Sequence, residues 1–507
     1  MGTLGVPFGI LVQRLVDWLW HNPVVLISAT LTGLACFGCG PAPAAREGNA
    51  SPSLPLPAGI EVGFNHHSDR QYRSPLTGRW RQGDDLEAMV LRAIHEANSE
   101  ILVAVQELSL PSIAEALVQR HRQGIRVKVV LDNNYSTPWS QQHSIDLSPH
   151  QRLRQAQLKA LGSLDAVLLL RQAGVPMIDD TADGSSGSGL MHHKFLVADR
   201  RVVVTGSANF TASCIHGDAD DPRTRGNVNH LLRFESAELA SLFAAQFAEL
   251  WGDGPGGDLD SLFGLNKKGT VPKQVRVGNT SVQVLFAPHR RSDPDNGLQW
   301  LATQLQGVRS RLDMNLFVFS AQNLADELAQ LHARGVPIRL LADPGFANRS
   351  FSEVLDLMGI ALPDHRCRQE AGNRVWSQPL QGVGTPRLAR GDKLHHKFAV
   401  IDGEKVITGS FNWSPSAAHQ NDETLLLIDS PLLARHFGAE MDRLWRGAEL
   451  GETARLRRGR ERARRSCGSG RATDQPPSQQ APSLDSTTES QAVRLDDPAP
   501  DSIKQQV

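Results

Sequence analysis

Two short segments hold the residues best suited to chemistry. The first runs His192-His193-Lys194-Phe195-Leu196-Val197-Ala198-Asp199 and then Gly206-Ser207-Ala208-Asn209. The second runs His395-His396-Lys397-Phe398-Ala399-Val400-Ile401-Asp402 and then Gly409-Ser410-Phe411-Asn412. His, Lys, Asp, Gly, Ser and Asn recur at the same spacing in both. On an extended strand residues two apart share a face, so His192 points with Lys194 and His395 with Lys397. An imidazole and an ammonium on one face make a site for an anion. Gly206 and Gly409 are expected to let backbone approach a bound group closely, and Asn209 and Asn412 to add neutral donors. Asp199 and Asp402 fall at strand ends where an Asx-type turn is expected, which favours a structural role over a catalytic one. A lone histidine on an apolar strand is ordinarily a satisfied structural residue; two copies with complete flanks reverse that reading. His193 and His396 alternate to the opposite face and are read as core or supporting residues. The pairs His66-His67, His192-His193 and His395-His396 have no carboxylate or cysteine at ligand spacing, so no metal and no cofactor is expected.

The elements that must carry these segments repeat as well. FLVA and FAVI, followed by VVVTGS and KVITGS, read as strands joined by turns at ADRR and IDGE, so each motif sits on a hairpin-like pair. Upstream, strand candidates Ile60 to Asn65 and Val282 to Ala287 precede helical patterns at Leu86 to Asn98 and Leu298 to Val308. Strands Ile101 to Gln106 and Leu312 to Phe319 follow. Amphipathic helices then end at Gly124 and Gly335, where glycine is the expected cap, and strands IRVKVVLD and VPIRLLAD close at Asp132 and Asp343. Helix alternating with strand predicts an α/β architecture with largely parallel pairing and crossover helices, used twice.

The repeated HxKxxxxD and GSxN segments resemble the signature of the phospholipase D superfamily, and the resemblance covers roughly residues 60 to 450. It implies a duplicated fold of two α/β lobes, each a mixed sheet flanked by helices, with the active site at the pseudo-twofold interface where His192 meets His395. One histidine attacks phosphorus and forms a phosphohistidine; the other protonates the leaving oxygen and then activates water or another alcohol. Lys194, Lys397, Asn209 and Asn412 would hold the phosphoryl oxygens, with Ser207 and Ser410 of the GSxN segments placed beside them. As members of the motif, Asp199 and Asp402 are counted in the catalytic set. In the family a carboxylate beyond GSxN supports the catalytic imidazole, and Glu423 in QNDETLLL fits that place, behind His395. The first half has Asn229 there, in GNVNHLL. The acidic insertion from His216 to Arg225 offers Asp218, Asp220 or Asp221 instead. On that pattern His395 is the proton donor and His192 the nucleophile.

The remaining sequence bounds the setting. The 507 residues suit two globular units, and 53 Lys and Arg against 54 Asp and Glu exclude a globally basic nucleic-acid binder. Five cysteines, Cys36, Cys39, Cys214, Cys367 and Cys467, are too scattered for a disulfide scaffold, and the last three are read as buried thiols. Residues 1–40 read as a signal peptide or membrane anchor: Pro23 to Gly38 is uncharged, and at 16 residues it is short of the about 20 a membrane span needs. The stretches around Cys36 and Cys39 loosely resemble a bacterial lipoprotein cleavage box, with an uncleaved anchor as the rival. Residues 41–59 form a Pro/Ala/Ser linker, 60–265 and 275–450 the two lobes, and 451–507 an arginine run and a disordered tail. The run, Arg455 to Arg465, is read as the solvated end of a helix begun near Leu433. The chain is therefore expected to be exported, membrane-associated through its N-terminus, and monomeric because both motifs lie in one chain. The expected activity is phosphodiester cleavage or phosphatidyl transfer on phospholipid. The alternative is an exported endonuclease using the same two histidines. The loop Asp364 to Lys393, with six basic residues against three acidic, suits either anionic substrate.

Overall fold

The computed structural model describes residues 54–468 except 161, 163, 186–188, 218–220 and 222. The 1–40 segment with Cys36 and Cys39, the linker before residue 54, Asp218, Asp220 and the tail beyond 468 lie outside the described residues.

The first half forms β1 (Ile60–Phe64), a small ribbon of β2 (Gln71–Arg73) and β3 (Trp80–Gln82), β4 (Glu100–Val105), β5 (Arg126–Leu131), β6 (Met177–Asp179), β7 (Lys194–Ala198), β8 (Val202–Gly206) and β9 (His230–Glu235). The second forms β10 (Lys273–Val277), β11 (Thr280–Ala287), β12 (Leu312–Leu316), β13 (Ile338–Ala342), β14 (Val383–Thr385), β15 (Lys397–Ile401), β16 (Lys405–Gly409), β17 (Glu423–Asp429) and β18 (Glu449–Leu450). The first sheet has the order β1-β9-β8-β7-β4-β5-β6. The second repeats it as β11-β17-β16-β15-β12-β13-β14, with β10 and β18 added at its edges. Each half is thus one α/β lobe with a mixed sheet.

The pairing is not largely parallel, as the alternation of elements predicts. Only β4-β5-β6 and β12-β13-β14 run parallel; the hairpins β7-β8 and β15-β16, and the strands returning beside them, pair antiparallel. The hairpins reverse in short turns with consecutive left-handed residues, Asp199 and Arg200 in one and Asp402 and Gly403 in the other. That backbone twist matches the strands it joins. Helices Pro111–Arg122 and Gln322–Ala333 end as their glycines require, with Gly124 at φ 86° and Gly335 at φ 77°.

Strand alternation sorts the core into three. Phe195 and Val197 of β7, and Phe398 and Val400 of β15, join one cluster shared by both sheets and by the helices Ala237–Trp251 and Pro431–Trp445. Their neighbours Leu196 and Ala198, and Ala399 and Ile401, face the outer helices of their own lobe. Fully burying a phenylalanine stabilises by about 1.5–3 kcal/mol, so the shared aromatic cluster binds the lobes into one body.

Two further expectations give way. Cys367 and Cys467 form a disulfide across a sequence separation of 100, while Cys214 is a buried thiol. The fold brings their Cα atoms to 5.4 Å, which no spacing rule in the chain reveals. The arginine run does not extend the preceding helix either. Pro431–Trp445 stops before Gly447, which is at φ 88°, and after β18 a separate helix, Ala454–Cys467, starts from a Thr453 cap whose Oγ1 accepts from Leu456 N at 3.2 Å.

Candidate active site

Each motif reaches its position by a tie to the opposite lobe. His192 N donates to Asp422 O at 3.0 Å and Asp422 N to Leu190 O at 2.9 Å. In the mirror arrangement His395 N donates to Val228 O at 3.1 Å and Val228 N to Lys393 O at 2.7 Å. Buried aspartates at the ends of β5 and β13 fix the preceding residues: Asp132 accepts from Met191 N at 3.0 Å and Asp343 from Leu394 N at 2.9 Å. Burial pushes the Asp132 carboxyl up to about 6. Both positions close a strand in each repeat, the one signal by which sequence reading could have assigned them this task.

The imidazole supports are exchanged between lobes, against expectation. His192 Nδ1 lies 2.7 Å from Glu423 Oε1, and His395 Nδ1 lies 2.9 Å from Asn229 Oδ1. The cause is the pair of cross-lobe ties. Asn229 stands just before β9 and Glu423 opens β17, and those strand starts are the segments laid against the other lobe's motif. The Glu423 oxygen sits to the side of the His192 ring N–H direction, so this is a close polar contact rather than a straight hydrogen bond. Asn229 is oriented by its own donors: Nδ2 gives hydrogen bonds to Cys214 O and Asn227 O, leaving Oδ1 for His395. Asp221 offers no substitute, since it pairs with Arg223 at the surface.

Ser207 and Ser410 hold these supports rather than facing a phosphate. Ser207 Oγ donates to Asn229 Oδ1 at 2.8 Å and Ser410 Oγ to Glu423 Oε2 at 2.5 Å; both serines are buried. The glycines before them serve the same packing. A Cβ on Gly206 would stand 2.4 Å from His230 O, and one on Gly409 2.2 Å from Thr424 O, so the close approach is to the neighbouring strand and not to a bound group. Asp199 and Asp402 take no part in the site. Asp199 accepts from the backbone of Asn98, Ser99 and Glu100, and Asp402 from that of Arg309, Ser310 and Arg311, which ties each hairpin turn to the strand beside it. That is the structural role their position in the turn indicates.

Lys194 and Lys397 are buried beneath the two histidines, with Nζ donating to His192 O at 2.9 Å and His395 O at 2.8 Å. Burial pushes the Lys194 ammonium down to about 8, against the pull of Glu423. Lys397 is driven well below its usual range by burial and then by the Lys194 charge. Both imidazoles are held well below 6.5 by burial and by these ammoniums, so the resting rings are neutral. Asn209 Nδ2 donates to Gln106 Oε1 at 3.1 Å; Oδ1 of Asn209 and of Asn412 has no hydrogen-bond partner among the described residues. Where the first lobe has Gln106 after β4, the second has Phe317 after β12. The Phe317 ring lies 4.6 Å from the His395 ring and 4.7 Å from Lys397 Nζ. Two lysine amines facing the Glu423 carboxyl leave the pocket short of negative charge, which a phosphodiester supplies.

His193 and His396 point into the shared core, as strand alternation requires. His193 Nδ1 is 2.9 Å from Thr424 Oγ1. His396 Nδ1 is 2.9 Å from His230 Nδ1, and its Nε2 is 2.9 Å from Glu440 Oε1. His230 and Glu440 have no motif to announce them. Among the described residues no group of three His, Cys, Asp or Glu is placed to hold a metal ion.

The shifts set an expected pH dependence. Burial lifts the Glu423 carboxyl to about 8 against the pull of Lys194. Below that value the His192–Glu423 pair carries an extra proton, which occupies the ring nitrogen a nucleophile needs. Above about 8 Lys194 loses the proton it needs to hold an anion. A profile of kcat/KM against pH is therefore expected to rise from the acid side, peak near pH 8 and fall beyond it. A flat profile over that range would contradict the assignment of these two groups.

A family model described as "Cardiolipin synthase, PLD-like domain" matches residues 90–251 and 301–445. The mitochondrial cardiolipin hydrolase of Xenopus laevis is 30% identical over 151 residues, which are 30% of this chain and 62% of that protein. A phospholipase D of Rickettsia bellii is 26% identical over 171 residues, 32% of this chain and 72% of that one. Among solved structures, the phosphatidylserine synthase of Haemophilus influenzae Rd KW20 aligns over 78% of this chain and 89% of its own at 14% identity, with a TM-score of 0.49. The family match takes in both motifs and the strands that present them, and the chain belongs to the phospholipase D-like family of that cardiolipin synthase model.

Proposed function

We propose that this chain is a phospholipase D-type phosphodiesterase that cleaves or transfers the phosphatidyl group of phospholipids through a phosphohistidine. The observation that carries the reading is the pair of neutral, buried imidazoles, each backed at Nδ1 from the opposite lobe, above two buried ammoniums. In the first step His192 Nε2 forms a bond to phosphorus as the bond to the leaving alcohol breaks. The Glu423 carboxylate offsets the positive charge the ring then acquires. The bound anionic substrate raises the proton affinity of His395, which takes a proton from solvent; facing the neutral Asn229 carbonyl, the ring then releases that proton readily to the departing oxygen. In the second step His395 takes a proton from water or an alcohol, whose oxygen displaces His192 from phosphorus. Lys194, Lys397, Asn209 and Asn412 hold the phosphoryl oxygens throughout. Asp199 and Asp402 touch no reacting group.

The cardiolipin hydrolases and phospholipase D among its relatives, by the names they carry, support lipid as the substrate. Bilayers of phosphatidylcholine or cardiolipin, and single-stranded DNA, offered side by side with a primary alcohol present, test this. A phosphatidylalcohol is expected, because the covalent intermediate partitions between water and alcohol. Cleavage of the DNA alone, with no lipid product, would transfer the function to the endonuclease alternative.

The Cys367–Cys467 disulfide supports an oxidising compartment, since such bonds seldom persist in the cytosol. With the apolar run before residue 40 it supports an exported, membrane-held chain, and the presence of both motifs in one chain supports a monomer. Cell fractionation is expected to find it with membranes and oxidised at this pair; a reduced, soluble cytoplasmic pool would contradict export.

A further inference from the structure

The helix Ala454–Cys467 carries seven arginines, and the catalytic account uses none of them. Leu456 is its one buried residue, packed near Leu355 and Ile360, and Gly459, Arg460, Ala463 and Cys467 lie partly covered along the same side. Arg460 pairs with Glu452 at 2.8 Å. Arg455, Arg458, Arg462 and Arg465 are exposed away from that contact. Their spacing sets four guanidiniums in a stripe about 15 Å long at 1.5 Å rise per residue.

Like charges three and four apart destabilise a helix, and one buried leucine offsets little of that. Yet this helix is fastened at both ends, by the Thr453 cap and by the disulfide from Cys467 to Cys367. A row of repelling charges clamped into one shape is complementary to a fixed field of negative charge. We propose that this helix is a docking element for the anionic headgroups of a bilayer, holding the enzyme on the surface that carries its substrate. The choice of a bilayer over other polyanions rests on the lipid reading above; the charge array and its clamp do not.

The test compares the full chain with the R455Q/R458Q/R462Q/R465Q variant. Both are mixed with vesicles of pure phosphatidylcholine and with vesicles containing phosphatidylglycerol. The readout is the ratio of the two binding constants, which cancels any contribution from the apolar N-terminal segment. Each arginine near an anionic leaflet strengthens binding by roughly fivefold, so the variant is expected to lose about six-hundredfold of that ratio if all four reach the surface and about thirtyfold if two do. The parent's ratio should fall steeply as salt is raised. Turnover of a soluble aryl phosphodiester should not change, because none of the four residues touches the active site, and the melting temperature should not fall, because the substitutions only relieve repulsion along the helix. A variant that keeps the parent's preference for anionic vesicles overturns the proposal. So does tighter binding of a single-stranded oligonucleotide than of anionic vesicles, abolished by the same substitutions. Anionic-vesicle binding lost in the variant, in an enzyme that cleaves only nucleic acid, supports the docking element while overturning the lipid substrate.

Discussion

Replacing either His192 or His395 with alanine is expected to leave a folded chain that has lost turnover by roughly 10⁴-fold or more. In the proposed scheme each imidazole has a role the other cannot cover: one becomes bonded to phosphorus, and the other moves the proton. The two substitutions together should cost little more than either alone, because residues that act as one unit are not additive. Near-native melting is expected, since the ties that position both motifs are backbone bonds to Asp422 and Val228 and survive loss of the side chains. Steady-state rates on the preferred substrate, with thermal melts of the same preparations, check this. Substantial turnover in either folded variant would contradict the two-histidine scheme.

The second large effect concerns the exchanged supports. Glu423→Gln keeps the shape and removes the charge behind His192. Loss of a carboxylate behind a catalytic histidine can cost as much as about 10⁴ in rate, so a fall of 10²- to 10⁴-fold is expected, concentrated in formation of the covalent intermediate. Asn229→Ala removes a neutral acceptor behind His395 and should cost about tenfold. Asn229→Asp is the more telling change. A carboxylate there raises the affinity of His395 for its proton and makes it a poorer acid, so the step that expels the alcohol should slow although no contact is lost. Pre-steady-state measurement of the burst and of the following turnover separates the two steps. Equal losses at positions 423 and 229, or the larger loss at 229, would assign the nucleophile to His395.

Most of the site was legible because it is written twice. Identical spacing around His192 and His395 exposed the duplication, and Gly124 and Gly335 marked the ends of equivalent helices. The turn chemistry at Asp199 and Asp402 was readable from local rules alone. What escaped depended on contacts between lobes. Glu423 follows the second motif in the chain, so a reading within one half places it behind His395. The bridge from Asp422 to Met191 carries it instead to His192. The Cys367–Cys467 bond was invisible for the same kind of reason, its partners being distant in sequence and adjacent only in the fold. Sheet polarity misled because crossover helices are conspicuous in the pattern, whereas the antiparallel partners β1, β9, β11 and β17 look like any other apolar strand. Asp132 and Asp343 were visible as strand ends, but nothing local reveals that their carboxylates hold the backbone before each histidine.

In the proposed scheme His192 bonds to phosphorus with Glu423 behind it. Rapid alkaline quench of a reaction with phosphate-labelled lipid, followed by peptide mapping, addresses that bond directly. Acid-labile label is expected on the peptide containing His192 of the parent chain during the burst, absent in His192→Ala and strongly reduced in His395→Ala, whose first step lacks its proton donor. Label on the peptide containing His395, with none on that containing His192, would contradict the scheme.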